Sequence, residues 1–300
     1  MKTMRHCLIA FISLVQIGVG VGAAHGQVVP IAATVPKKGI IDFHAPDSLD
    51  QHRPIIIAHR GGVITKASPE CSLAAIGLAA QQGYDMVELD VRASKDGVPV
   101  VFHDASLVKA CGRYGRVDQY AADELNSFTY LGSDERIVRL ESALRLCRAQ
   151  HLGVMLDLKF GRDNRTFLRQ LHHLLEKHDL LRSTITFSSG KDAREILTDV
   201  RFTPTDKEMQ LLRNGAEVDL RSRFWFGLPR QLQDGDIERL TRAGATILPA
   251  INTFRYPADR HRQLAKDDIL SLTKAGVHGF QLDSIYFDLV PKSESTKNVK

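Results

Sequence analysis

The sequence predicts a parallel α/β barrel, (β/α)8 (the TIM-barrel architecture), with a small hairpin insertion near the barrel mouth. Three observations predict it. Eight short apolar or β-branched runs recur between Ile55 and Leu282. Stretches with helical spacing separate most of them, and such alternation gives parallel strands. No Gly-x-Gly-x-x-Gly or phosphate-loop signature follows the first run, which counts against the rival architecture, an open doubly wound sheet. Eight strand-helix units over about 250 residues match the size of a closed barrel.

The strand candidates are residues 55–58, 86–91, 154–158, 184–187, 200–203, 224–228, 246–251 and 279–282, the run at 200–203 being the weakest. Helical spacing covers 73–82, 140–150, 164–178, 193–197, 207–217, 236–243 and 267–275, several followed by Gly at a helix stop. One run falls outside the eight. Residues 98–102 follow the second strand after Asp96-Gly97, a strong hairpin signal, so this piece is expected to fold back antiparallel near the mouth.

The 300 residues divide accordingly into four parts. Residues 1–26 carry Lys2, Arg5 and His6, then a mainly apolar run to Ala24. That is the layout of a secretory signal peptide, with cleavage after Gly26, and it implies a secreted or periplasmic protein. A retained anchor is the competing reading of the same run. Residues 27–52 read as an extended leader, 53–291 as the barrel domain, and 292–300 as a frayed polar tail. No second apolar run of 18 residues follows, so no stable membrane span is expected after processing.

Composition narrows the function classes. A hydrophobic fraction of 43% and a charged fraction of 25% are globular values and exclude collagen-like, low-complexity and multi-span classes. The formal charge is +5, and loss of the two cations Lys2 and Arg5 with the leader lowers it to +3, too small an excess to argue for nucleic acid. Beyond Cys7, three cysteines remain, Cys71, Cys111 and Cys147, too few for a disulfide framework. A single Cys111–Cys147 bridge and three unpaired thiols are both open. Oligomeric state is not legible in the chain.

Chemistry-bearing residues stand at the ends of the apolar runs, where barrel enzymes assemble their sites. His59-Arg60-Gly61 follows the first, Glu88 and Asp90 lie in the second, His103-Asp104 follows the hairpin run, and Asp157 and Lys159 close the next. Residues two apart in a strand share a face, so Glu88 pairs with Asp90, and Asp157 with Lys159. Two buried carboxylates side by side cost several kcal/mol per ion unless compensated. Compensation comes either from one divalent cation, Mg²⁺ or Ca²⁺ for three hard oxygen ligands from Glu88, Asp90 and Asp157, or from Lys159 or Arg92. His59 and His103 supply two imidazoles able to exchange protons near neutral pH, and Arg60 a guanidinium matched to phosphate oxygens.

These residues resemble the glycerophosphodiester phosphodiesterase family. The likeness rests on His59-Arg60-Gly61, on Pro69-Glu70 with Leu73-Ala74-Ala75, on the stretch from Gly83 to Val91, on that from Asp96 to Asp104, and on Leu156-Asp157-Leu158-Lys159. It implies a barrel that hydrolyses a small phosphodiester with a bound divalent cation, releasing sn-glycerol 3-phosphate and an alcohol. By position, Glu88, Asp90 and Asp157 would bind the metal, His59 and His103 would serve as base and acid, Arg60 and Lys159 would hold phosphate oxygens, and Glu70 would support the site. Three departures bear on this. Cys71-Ser72 stands where the family has Asn-Thr, Asp157 where it has Glu, and Ala250-Ile251-Asn252-Thr253 where it has Trp-Thr-Val-Asn. The short Asp-x-Lys also looks like the related sphingomyelinase D enzymes, so a phospholipase D-like activity and a non-catalytic phosphate-binding barrel are the rival expectations.

Remaining features have plainer expectations. His172, His173 and His178 read as a solvated helix face, Trp225 as core, and Arg221 and Arg223 as surface charge. Asn252 and Asp283 end the last two strands, in contact with substrate or with the scaffold.

Overall fold

A computed structural model describes residues 39–159, 164–187 and 190–291. The expected signal peptide, residues 27–38 of the leader and the tail lie outside the described residues. Ten strands form one sheet: β1 (Ile55–Ala58), β2 (Met86–Ala93), β3 (Pro99–Val101), β4 (Val138–Arg139), β5 (Gly153–Leu158), β6 (Thr184–Thr186), β7 (Arg201–Phe202), β8 (Phe224–Gly227), β9 (Thr246–Ile251) and β10 (Gly279–Leu282). Eight of them pair in the order β7-β6-β5-β2-β1-β10-β9-β8, every neighbour parallel. The two ends of that path meet at an isolated parallel bridge between Phe202 and Arg223. The result is the (β/α)8 barrel that the run-and-helix alternation predicts.

Helix boundaries follow local chemistry. Ser72 caps Leu73–Gln82 by accepting from the Ala75 amide at 3.1 Å, and Gly83 closes it at φ 90. Asn164 caps Arg165–Lys177 in the same way, accepting from the Phe167 amide. The last helix runs from His261 to Lys274, starting earlier than the periodicity marks.

Alternation along each strand sorts side chains between two cores. The even positions Val154 and Leu156 and the odd positions Val87, Leu89 and Val91 join helix residues such as Ile76, Leu144 and Leu168 outside the barrel. Ile55, Ile57, Met86, Met155, Ile185, Phe224 and Leu248 form the second cluster. The inward phase of this second set continues, two residues later along each strand, into His59, Glu88, Asp157, Phe226 and Ala250. The fold therefore delivers those residues to one end.

Two features differ from the sequence reading. The leader is not wholly extended: Pro46–Gln51 is helical, with Pro at its first turn. Ile41 and Phe43 are fully buried against the inner cluster, and the Phe43 amide donates to the Arg182 carbonyl at 2.9 Å. Gly153 admits this plug, since a Cβ there would sit 2.7 Å from Ile41 Cγ2. The insertion is also larger than a hairpin. β3 runs antiparallel to β2, as Asp96-Gly97 predicts, and β4 adds a further antiparallel strand. The loops around them bury their own cluster, including Phe102, Leu107, Val117, Leu125 and Ile137.

Cys71, Cys111 and Cys147 are all buried free thiols. Cys111 and Cys147 lie in different clusters, which removes the possible bridge. Trp225 is core, packed with Leu212, Leu240 and Ile247. Arg223 forms an ion pair with Glu208 at 3.2 Å while only partly exposed, whereas Arg221 is surface charge, as expected. No described helix is long and apolar enough to cross a membrane.

Candidate active site

The β2–β5 register decides the centre of the site. Glu88 stands opposite Met155, and Asp90 opposite Asp157, so two inward carboxylates from adjacent strands are forced side by side. Glu88, Asp90 and Asp157 each offer an oxygen within 4.8 Å of the others, the one such acidic, His or Cys grouping among the described residues. Glu88 is 2% exposed and Asp90 1%. Burial, and then the Asp90 charge, push the Glu88 carboxyl well above the usual carboxylate range. Burial also raises Asp157.

The lysine partner anticipated as an alternative is present. Lys159 Nζ lies 3.1 Å from Asp90 Oδ1 and 2.5 Å from Asp157 Oδ2. It reaches two of the three acids; Glu88 instead accepts the Arg60 amide at 2.7 Å. Fully ionised, three carboxylates against one ammonium would leave a formal charge of about −2 in a buried place, and buried charge persists only when paired. The donor set is all oxygen. A hard divalent cation such as Mg²⁺ or Ca²⁺ fits it, and Glu88, Asp90 and Asp157 are the residues that would hold one.

Both imidazoles face this centre and both are oriented from behind. His59 Nδ1 lies 2.6 Å from Asp283 Oδ1, and His103 Nδ1 lies 2.7 Å from Asp104 Oδ1. Among the described residues neither Nε2 has a protein partner. A carboxylate on Nδ1 fixes the tautomer and leaves Nε2 for the cavity. Asp283 is itself held, accepting from the Thr253 amide and hydroxyl at 2.7 Å each. Its carboxyl is held below the usual range by His59 and Thr253, which outweigh burial. Asn252 Nδ2 donates to Gln281 Oε1 at 3.1 Å and lies 3.2 Å from His59 Nδ1. Both residues therefore bear on the His59 support, which the strand-end pattern left open. Asp104 was legible only as the residue after His103.

Arg60 has φ 52 in a sharp turn completed by Gly61 at φ 83. Gly is required after it, because a Cβ on Gly61 would approach Cys71 Cα to 2.9 Å. The guanidinium donates through Nη1 to Glu70 Oε2 at 2.8 Å, while buried Nε has no partner among the described residues. Glu70 thus supports the site through Arg60. Cys71, at φ 61, directs its thiol to Asp90 Oδ2 at 3.4 Å, a weak donor in the place where the family carries an amide.

His59, Arg60, Glu88, Asp90, His103, Asp157 and Lys159 line one cavity of about 630 Å³, while Glu70 stands behind it. Its other wall is apolar and aromatic, with Phe187 and Phe226 stacked at 5.1 Å and Met209, Leu228 and Phe254 nearby. His172, His173 and His178 lie apart from it. His173 is exposed, whereas His172 bonds Thr198 and His178 is mostly covered, so that helix face is only partly solvated.

With this geometry in view, the comparisons are specific. The glycerophosphoryl diester phosphodiesterase family matches residues 59–280. Glycerophosphodiester phosphodiesterase 1 of Rattus norvegicus is 34% identical over 133 residues, which cover 42% of this chain and 38% of the rat protein. The chain therefore spans well under two thirds of that relative. A solved glycerophosphodiester phosphodiesterase from Agrobacterium tumefaciens is 25% identical, with a TM-score of 0.57 over 76% of this chain and 95% of that one. A phosphodiesterase of Oleispira antarctica, solved with the product sn-glycerol-3-phosphate, shares the fold at 22% identity and a TM-score of 0.58, over 78% and 95% of the two chains.

Proposed function

The chain belongs to the glycerophosphoryl diester phosphodiesterase family, and from that premise we propose that it hydrolyses glycerophosphodiesters to sn-glycerol 3-phosphate and an alcohol. The observation that carries the reading is the pairing of His59 with Asp283 and His103 with Asp104 around one acidic centre. Two oriented imidazoles are what an in-line displacement needs, one on each side of phosphorus.

In this reading His59 Nε2 takes the proton of the attacking oxygen, and His103 Nε2 returns a proton to the departing alkoxide. Arg60, steadied by Glu70, and Lys159 bind the non-bridging phosphate oxygens. Glu88, Asp90 and Asp157 would hold a divalent cation, which when bound would offset negative charge on the diester and polarise phosphorus.

The apolar wall of Phe187, Phe226, Met209 and Leu228 supports a second reading, a phospholipase D-like activity on lysophospholipid, since a long chain needs such a surface. One experiment separates the possibilities: chelated protein is assayed on glycerophosphocholine and lysophosphatidylcholine, with Mg²⁺, Ca²⁺ and Mn²⁺ added back. Cation-dependent release of choline from the first substrate supports the main reading, and from the second alone the alternative. Binding of diester without alcohol release would point to a non-catalytic barrel, and activity that survives chelation would count against the metal. We also infer export, supported by the layout of residues 1–26; N-terminal sequencing of secreted or periplasmic protein would then begin at Gln27.

A further inference from the structure

At Val91 the parallel β2–β5 ladder ends, and the antiparallel β2–β3 pairing begins and runs on through Arg92 and Ala93. Val91 pairs with Leu158 of β5 on one edge and with Val101 of β3 on the other. Lys159 donates its main-chain amide to the Val91 carbonyl and Phe102 donates its own to the Asp90 carbonyl, each at 2.9 Å. Beyond them the chain ends that carry Lys159 and His103 leave the ladder, and their carbonyls need a donor from elsewhere.

Arg92 supplies it. Nε and Nη2 both donate to the His103 carbonyl, at 3.0 and 2.6 Å, and Nη1 points at the Lys159 carbonyl at 3.5 Å. The side chain is half-buried, and among the described residues no carboxylate lies within 4 Å of its guanidinium. The planar fork is thus engaged with the main chain on both sides of its own strand, a geometry that a lysine ammonium cannot copy. Asp104 does a different job. It holds the His103 ring relative to the segment both share, and so moves with it.

We propose that Arg92 is the positioning residue that fixes the His103 segment to the barrel, and through it the imidazole, for the reaction proposed above, on which this inference rests. Arg92 itself touches neither the acids nor the imidazole ring. Misplacement of a reacting group by about 1 Å is enough to cost on the order of 100-fold in rate.

The test is a double-mutant cycle read beside a spectrum. Arg92→Lys in the wild-type background is expected to lower kcat about 10- to 100-fold with little change in KM. In the His103→Ala background the same substitution is expected to change nothing further, because its effect passes through a side chain already gone. Equal losses in the two backgrounds, or no loss in the first, would overturn the proposal. Imidazole NMR on the intact folded protein gives a readout independent of turnover: Arg92→Lys should move the His103 ring resonances and leave those of His59 in place. Unmoved His103 resonances overturn the proposal whether or not any diester is cleaved, whereas a wild-type protein inactive on every diester defeats the reaction alone.

Discussion

Asp90 and Asp157 are register partners across the β2–β5 ladder, and Lys159 Nζ touches an oxygen of each. Backbone pairing, rather than a ligand, brings the acids together, so their repulsion is built into the folded barrel. One ammonium offsets one of the three charges. That deficit is the physical reason to expect a divalent partner, and four predictions follow from it and from the geometry around it.

Replacing either register partner should release the charge deficit and with it the ion. For Asp90→Asn and Asp157→Asn, cation affinity measured by calorimetry on chelated protein should fall by more than the roughly 100-fold that loss of an outer partner costs. Both variants should fold, since an amide keeps the shape and relieves like-charge repulsion.

Loss of either imidazole should leave ion binding in place and remove the chemistry. His59→Ala and His103→Ala are each expected to lower kcat by about 10² to 10⁴, with calorimetric cation affinity near wild type.

Asp283 gives a pH signature with a definite sign. Its folded-state pKa is depressed by His59 and Thr253 against the opposing effect of burial, so its ionised form stabilises the fold. That contribution is present in full above the unfolded value of about 3.9 and is lost as pH falls through the lower folded value. Asp283→Asn should therefore be less stable than wild type at pH 7 by about 1 to 3 kcal/mol, and the gap in urea unfolding should narrow below about pH 4. The same variant should lose on the order of 100-fold in kcat, because His59 Nδ1 no longer faces a carboxylate.

The floor plug should matter to stability and not to chemistry. Phe43 is fully buried in the inner cluster, and Phe43→Ala should cost about 3 to 5 kcal/mol in denaturant unfolding, with KM unchanged in the protein that remains folded.

Much of this was legible because strand alternation is a local code. The pairs Glu88 and Asp90, and Asp157 and Lys159, announce a shared face from spacing alone, and all eight barrel strands appear as apolar runs. The weakest run, at 200–203, is also the least regular in space, where β7 has two residues and closes on Arg223 through one bridge. What sequence could not supply was register between distant strands. Nothing local says that Asp157 stands beside Asp90, or that Asp283 reaches His59 from 224 positions away. The leader misled for a related reason: Ile41 and Phe43 have no periodic neighbours, so their burial depends wholly on the open floor that the barrel presents. Arg92 was legible only as a possible counter-charge to the acids; its actual partners are carbonyls, which every residue carries and no pattern marks.

The mechanism depends on the three carboxylates sharing one divalent cation. The decisive measurement is anomalous diffraction from crystals soaked in Mn²⁺. A single strong peak is expected at roughly 2.0 to 2.6 Å from oxygens of Glu88, Asp90 and Asp157, with the Lys159 ammonium displaced from its bridging position. A peak elsewhere, or none while Lys159 still joins Asp90 to Asp157, would contradict it.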